Sequence, residues 1–324
     1  MIRKAWKPAL IIALGVIFPF IGKEGYLTHL AISMLIFSIL ASSLNLLMGY
    51  TGLVSIAHGA FFGIGAYTSA ILVIRCHLPF MAALFLAAAS AGLIALGIGI
   101  PSFRTRGVYY IIVTIAFQLI LSEIFDGWYA MTGGGLGMRG IPRPGLLSLP
   151  FVGSVSFQSK FAYYYLAFFF TLLAHFGMAR IIRSPLGIAL MALRDNETKA
   201  LMMGLRPLFY KLFIFVFASG LAGLAGSLYV HYLEFSHPDL FSFPVSVDLF
   251  LMVMLGGAGT FFGPPLGVLI LELIREFLHE FVALRLFIYG LMIIGIIIFL
   301  PEGLLNRLFY FPRRRISVST TRTN

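Results

Sequence analysis

The chain has little of what soluble catalysts need. One cysteine, Cys76, stands in 324 residues, so no disulfide forms within the chain and no thiol pair can hold a metal. Lys, Arg, Asp and Glu together make up 11% of the residues, against about a quarter in ordinary soluble domains. There is no Walker A sequence, no HExxH helix and no GxSxG elbow. Nucleotide hydrolysis, zinc proteolysis and serine hydrolysis therefore have no local machinery here. No metal, cofactor or catalytic residue is expected. Gly135 to Gly140 formally spells GxGxxG, but no strand precedes it and no βαβ unit surrounds it. It reads as a glycine-rich surface loop.

What is present is apolar. Hydrophobic residues make up 60% of the chain, and mean hydropathy is +0.98. Apolar runs near membrane-span length recur from end to end. The fold class is all-α, a polytopic membrane protein of about ten transmembrane helices. The spans are expected at 8–22, 27–48, 53–74, 78–100, 107–125, 161–181, 211–233, 247–262, 265–282 and 285–300. The first and eighth are short for a bilayer core that takes about 20 helical residues. They suggest one or two broken or re-entrant segments. The first apolar run follows Arg3, Lys4 and Lys7 but has no small-residue cleavage site, so it reads as a retained span.

The net charge of +11 is placed in the loops rather than spread over a nucleic-acid-binding face. With the N-terminus inside, the outer side keeps seven of the 23 Lys and Arg: Lys23, Arg75, Arg139, Arg143, Lys160, Arg275 and Arg285. The other sixteen fall inside. Such a bias predicts cytoplasmic N- and C-termini. One permease domain is expected over residues 1–300, with an extracytoplasmic loop at 126–160 and a polar cytoplasmic loop at 183–210. The basic tail, 301–324, would lie near anionic lipid headgroups.

Two stretches carry the candidate functional residues. In the first, Ser184 and Pro185 read as an N-cap and first helical residue, with Gly187 in the turn that follows. Asp195 and Asn196 are placed to cap a second short helix, with Glu197 in its first turn facing the positive end of the dipole. Gly204 closes that helix and Pro207 stops its continuation. Ala200 and Gly204, four apart, lie on or beside one face, and Leu201, Met202 and Met203 supply adaptable apolar bulk. Arg194 and Glu197 add polar contacts. The pair looks like a docking surface at a membrane.

The second stretch, 45–69, joins Asn45, Thr51, Ser55 and His58 to five glycines. Small residues let membrane helices pack closely. Alternatively, a helix interrupted near Tyr50-Thr51-Gly52 opens backbone groups to a polar solute. Both readings stand at this point. Asp248 opens a weak echo of this break before Gly256 to Gly267. Glu123, Asp126, Asp248, Glu272 and Arg275 are expected near outer span ends. They form either a solvated helix end or a contact for an outer partner.

Four motifs, in order along the chain, resemble the permeases of branched-chain amino acid ABC importers. They are Asn45-Leu-Leu-Met-Gly-Tyr-Thr-Gly52 continuing to Thr68, Thr132 to Pro142, Arg194-Asp-Asn-Glu197 with Ala200 and Gly204, and Gly256 to Pro264. The pattern departs at Leu53, Lys199 and Arg206. The resemblance implies an importer subunit in the bacterial cytoplasmic membrane. It would work with ABC ATPase subunits, a second related permease subunit and an extracytoplasmic substrate-binding protein. Residues 183–210 would seat in the ATPase, and Gly187, Arg194, Asp195, Asn196, Glu197, Ala200 and Gly204 would carry the coupling. The substrates implied are leucine, isoleucine and valine. A path with few charges also suits urea or short amides. An ion-coupled secondary transporter is the alternative class.

Overall fold

A computed structural model describes residues 25–105, 107–149 and 153–277, with isolated positions at 15, 16, 18, 287, 288, 290, 291, 294, 295 and 304. The spans expected at 8–22 and 285–300, and the tail, lie largely or wholly outside the described residues. Among the described residues, seven helices are long and apolar enough to cross a membrane.

The first, α1 (Tyr26–Asn45), does not end at a cap. It runs on as a π segment, Leu46–Tyr50. Helix α2 (His58–Cys76) begins only after an irregular stretch, five residues later than the run of hydrophobicity predicts. Helices α3 (Phe80–Ser102) and α4 (Val108–Gly127) follow. A short helix, α5 (Tyr129–Thr132), then leads to strand β1 (Met138–Arg139) and the hairpin β2 (Leu146–Leu149) and β3 (Gly153–Ser156). Helix α6 (Lys160–Ile182) returns to the end where α1 breaks. There the chain turns through α7 (Pro185–Asp195) and α8 (Glu197–Met202). The long α9 (Pro207–Leu233) crosses back to β4 (Phe235–Ser236), which pairs antiparallel with β1. Helix α10 (Phe243–Gly256) and α11 (Gly263–Phe277) complete the described chain. The eighth expected span is thus corrected: α10 stops at Gly256, because Gly257 and Gly259 take positive φ angles and leave the helical path.

The core is a layer of α1, α2 and α9, with α3, α10 and α11 around it. Helices α2 and α9 cross closely, since a Cβ on Gly65 would strike the backbone of Gly223. That is small-residue packing of membrane helices. Aromatic rings fill the rest: Phe62 packs on Tyr229 and Phe241, and Phe61 on Phe117 and Phe215. Helices α3, α4 and α6 turn wide apolar faces outward, with Phe85, Leu93, Ile112, Ile120, Phe169 and Phe176 exposed. Bare apolar faces on spanning helices suit lipid contact.

Candidate functional site

The α7–α8 corner is built as its sequence predicts at most positions. Pro185 occupies the first turn of α7. Asn196 caps α8, its side chain accepting from the Lys199 amide at 2.9 Å. Gly204, at φ +84°, ends α8 in a Schellman motif. The Gly204 amide donates to Leu201 at 2.9 Å and the Leu205 amide to Ala200 at 3.1 Å. Glu197 pairs with Lys211 at 2.8 Å, tying α8 to α9.

Three details differ. Ser184 sits at the cap position, but its hydroxyl donates back to Ile181 rather than accepting from α7. Asp195 is the last residue of α7, not a cap for α8, and pairs with Arg194. Ala200 is 1% exposed and faces the protein, so it belongs to the inner side of the corner. Gly187 is also inward, packed against the Ile182 carbonyl where α6 turns into α7. The outer side is apolar: Met202 and Met203 are 83% and 81% exposed, and Ile188, Leu201, Leu208 and Phe209 are exposed beside them.

Arg194 points inward, from the end of α7 to the broken end of α1. Its Nη1 donates to the Gly49 carbonyl at 2.6 Å. Asn45, read from sequence as a path residue, crosses to the other break. Its Oδ1 accepts from the Gly259 amide at 2.8 Å and its Nδ2 donates to the Thr260 carbonyl at 2.8 Å. The weak echo between the two halves is therefore a contact. A groove of about 760 Å³ opens beside it, lined by Thr51 to Val54, Phe103, Tyr110, Leu193 to Glu197 and Lys211. Thr51 donates to the Leu47 carbonyl, and Ser55 is buried just beyond.

His58 opens α2 and is fully buried. Neither ring nitrogen has a hydrogen-bond partner among the described residues. Around it, side chains bond the amides at the start of α2. Ile56 donates to Thr114 at 3.3 Å, Gly59 to Ser246 at 3.0 Å and Ala60 to the Gln118 oxygen at 2.6 Å. The Gln118 amide donates on to the Phe241 carbonyl at 2.7 Å. These three partners are missing from the sequence reading. For Thr114 and Gln118 the signal was there: Tyr110, Thr114, Gln118 and Ser122, spaced by four, form a polar stripe along α4.

Of the charged residues expected near outer helix ends, Glu123 and Asp126 lie exposed in the last turns of α4, and the others are paired rather than solvated. Asp248 lies well inside α10, and both it and Glu272 are buried. Arg275 reaches both, at 3.3 Å and 3.2 Å. Burial of a carboxylate among membrane helices is tolerated only with such a partner. Helix α11 thus supplies both an acid and its counter-ion across to α10.

Among the described residues, seven helices apolar enough to span, with two interruptions that meet, define a multi-pass α-helical membrane protein. The chain belongs to the family described as the branched-chain amino acid transport system, permease component, which matches residues 26–297. It is 32% identical over 320 residues to the high-affinity branched-chain amino acid transport system permease protein LivM of Escherichia coli (strain K12), covering 94% of this chain and 75% of that protein. The LivM protein of Salmonella typhimurium matches to the same extent. A probable branched-chain amino acid transport permease protein LivM of Methanocaldococcus jannaschii is 28% identical over 189 residues, about half of each chain. No solved structure matches the chain.

Proposed function

We propose that this chain is a transmembrane subunit of an ATP-driven importer of leucine, isoleucine and valine. The observation that carries the reading is the two-faced α7–α8 corner. Its outer side offers exposed Leu201, Met202 and Met203, while its inner side grips the broken end of α1 through Arg194. Methionine adapts its shape to a partner surface, and a groove on an ATPase subunit fits the corner. Residues 183–210 form the coupling loop in this reading. A second related permease completes the pore. An extracytoplasmic binding protein delivers substrate to the end that carries residues 126–160. The membrane is the bacterial cytoplasmic membrane, with both termini on the cytoplasmic side. Thr51, Ser55 and His58 line or adjoin the solute path, with Asn45 at its edge. The names of the relatives support the substrate class.

The test is co-expression with candidate ATPase, permease and binding-protein subunits, purification by a tag on this chain, and [14C]leucine uptake into vesicles. ATP-dependent uptake that also requires binding protein supports the reading. Uptake that follows a proton or sodium gradient without ATP contradicts it. The path assignment has its own check. His58→Leu, which fills a buried site with an apolar group, should leave assembly intact and lower uptake. Unchanged uptake removes His58 from the path.

A further inference from the structure

We propose that residues 46–54 and 257–262 form a single gate, and that Arg194 and Asn45 are the positioning residues that latch it to the α7–α8 corner. The inference rests on the reading of that corner as the coupling loop.

The two interruptions lie more than two hundred residues apart in sequence, yet their backbones touch. A Cβ on Gly49 would overlap the backbone of Gly259, and a Cβ on Gly259 would lie 3.1 Å from the Gly49 carbonyl oxygen and 3.4 Å from Arg194 Nη1. Breaking a helix frees amides and carbonyls that must find partners inside a membrane. Beside the local bonds of Thr51 and Thr260, two side chains reach between segments to take them. Asn45 uses both ends of its amide on the second break, through Gly259 and Thr260. Arg194 takes the Gly49 carbonyl of the first. Asp195 holds the other edge of the same guanidinium, at 3.3 Å to Nε and 3.2 Å to Nη2, which fixes its plane. An unbroken line of contacts thus runs from the end of α7, through Arg194, to Gly49, Gly259 and the α10–α11 turn.

The latch also sits at a boundary between voids. Thr51 to Val54 line the large groove together with Arg194 and Asp195. Asn45, Leu46 and Tyr50 line a second, far smaller void with Phe261. A π segment carries irregular hydrogen bonding and recurs at functional sites. Segments held by few, separable bonds are the ones that open locally. A pull on α7–α8 that withdraws Arg194 strips the Gly49 carbonyl of its donor, and the two breaks part.

Hydrogen–deuterium exchange on the purified complex tests this without any transported solute. Arg194→Ala should raise amide exchange in 46–54 and in 257–262 together, and Arg194→Lys, which keeps one donor, should restore most of the protection. Asn45→Asp keeps the acceptor for Gly259 but loses the donor to Thr260. It should raise exchange at 257–262 and, through the shared gate, at 46–54. Exchange that rises only around 193–206 in the Arg194 variant, or in only one of the two segments in either variant, overturns the proposal. If Arg194→Ala does not assemble, the Lys and Asp variants decide it by the same criterion. In the transport assay, Arg194→Ala should cut uptake about tenfold or more, the factor for one lost charge-assisted hydrogen bond. ATP hydrolysis should continue. Because exchange needs no solute, a complex that imports no leucine sinks the importer reading and leaves the gate standing. Normal leucine import with no linked change in exchange does the reverse.

Discussion

At the α7–α8 end, ion pairs tie the corner itself, Glu197 to Lys211 and Arg194 to Asp195, but the two breaks are held through backbone groups by single side chains, Asn45 and Arg194, and the outer surface is exposed methionine and leucine. At the other end, charged side chains hold one another. Arg143 pairs with Glu234 at 2.6 Å, Arg275 with Asp248 and Glu272, and β1 pairs with β4. His231 adds a bridge there, from Pro142 to Ser69. The first kind of hold breaks one bond at a time. In the second, losing Arg275 takes the counter-ion from two buried carboxylates, which is costly in a low-dielectric interior. On this contrast, motion is expected at the two breaks and rigidity at the far end.

Substitutions can break or sharpen that contrast, ranked by their expected effect on stability. Gly49→Leu should have the largest, because its side chain would need the space that the Gly259 backbone fills while the two breaks are packed together. No monodisperse permease should survive size-exclusion chromatography in detergent. Gly97→Leu is the control: nothing lies within 4 Å of a Cβ there, and it should purify normally.

Arg275→Leu should come next. It removes the arginine from two buried carboxylates, at a cost of roughly 3–5 kcal/mol. Thermal unfolding followed by fluorescence should show a clear drop in Tm, partly recovered when Asp248→Asn is added. No drop would mean that the far end is not held by charge.

Gly204→Val forces a β-branched residue to φ +84°, at about 1–2 kcal/mol. The loss should stay local, seen as faster amide exchange at 200–206 with little change in global Tm, and uptake should fall. Met202→Asp should have the smallest effect on stability, within about 0.5 kcal/mol for an exposed site. It should nevertheless abolish co-purification with the ATPase. A variant that keeps both partner and uptake would show that the apolar surface docks nothing.

Much of the fold was legible because a membrane imposes long apolar runs, and α1, α3, α4 and α6 begin and end within a few residues of their expected spans. The interruption at Tyr50 to Gly52 was legible from glycine and threonine in an apolar run. The closing of α8 by Asn196 and Gly204 followed from local capping rules. What was not legible depended on contacts between distant segments. Nothing local tells that Asn45 reaches Gly259, that Ala200 faces inward, or that Asp248 lies beside Arg275. Hydropathy also misplaced the start of α2 and the end of α10, because both neighbouring breaks remain apolar while leaving helical geometry.

The central claim is that ATP hydrolysis by a partner reaches the membrane through the corner. It is tested most directly by a cysteine placed at Met202 on a Cys76-free background, crosslinked to an ATPase subunit in proteoliposomes loaded with ATP. A specific crosslink to the ATPase should form and abolish leucine uptake, and reduction should break the crosslink and restore uptake. Full ATP-dependent uptake with the crosslink in place, or no crosslink at 201, 202 or 203 in an active complex, would contradict it.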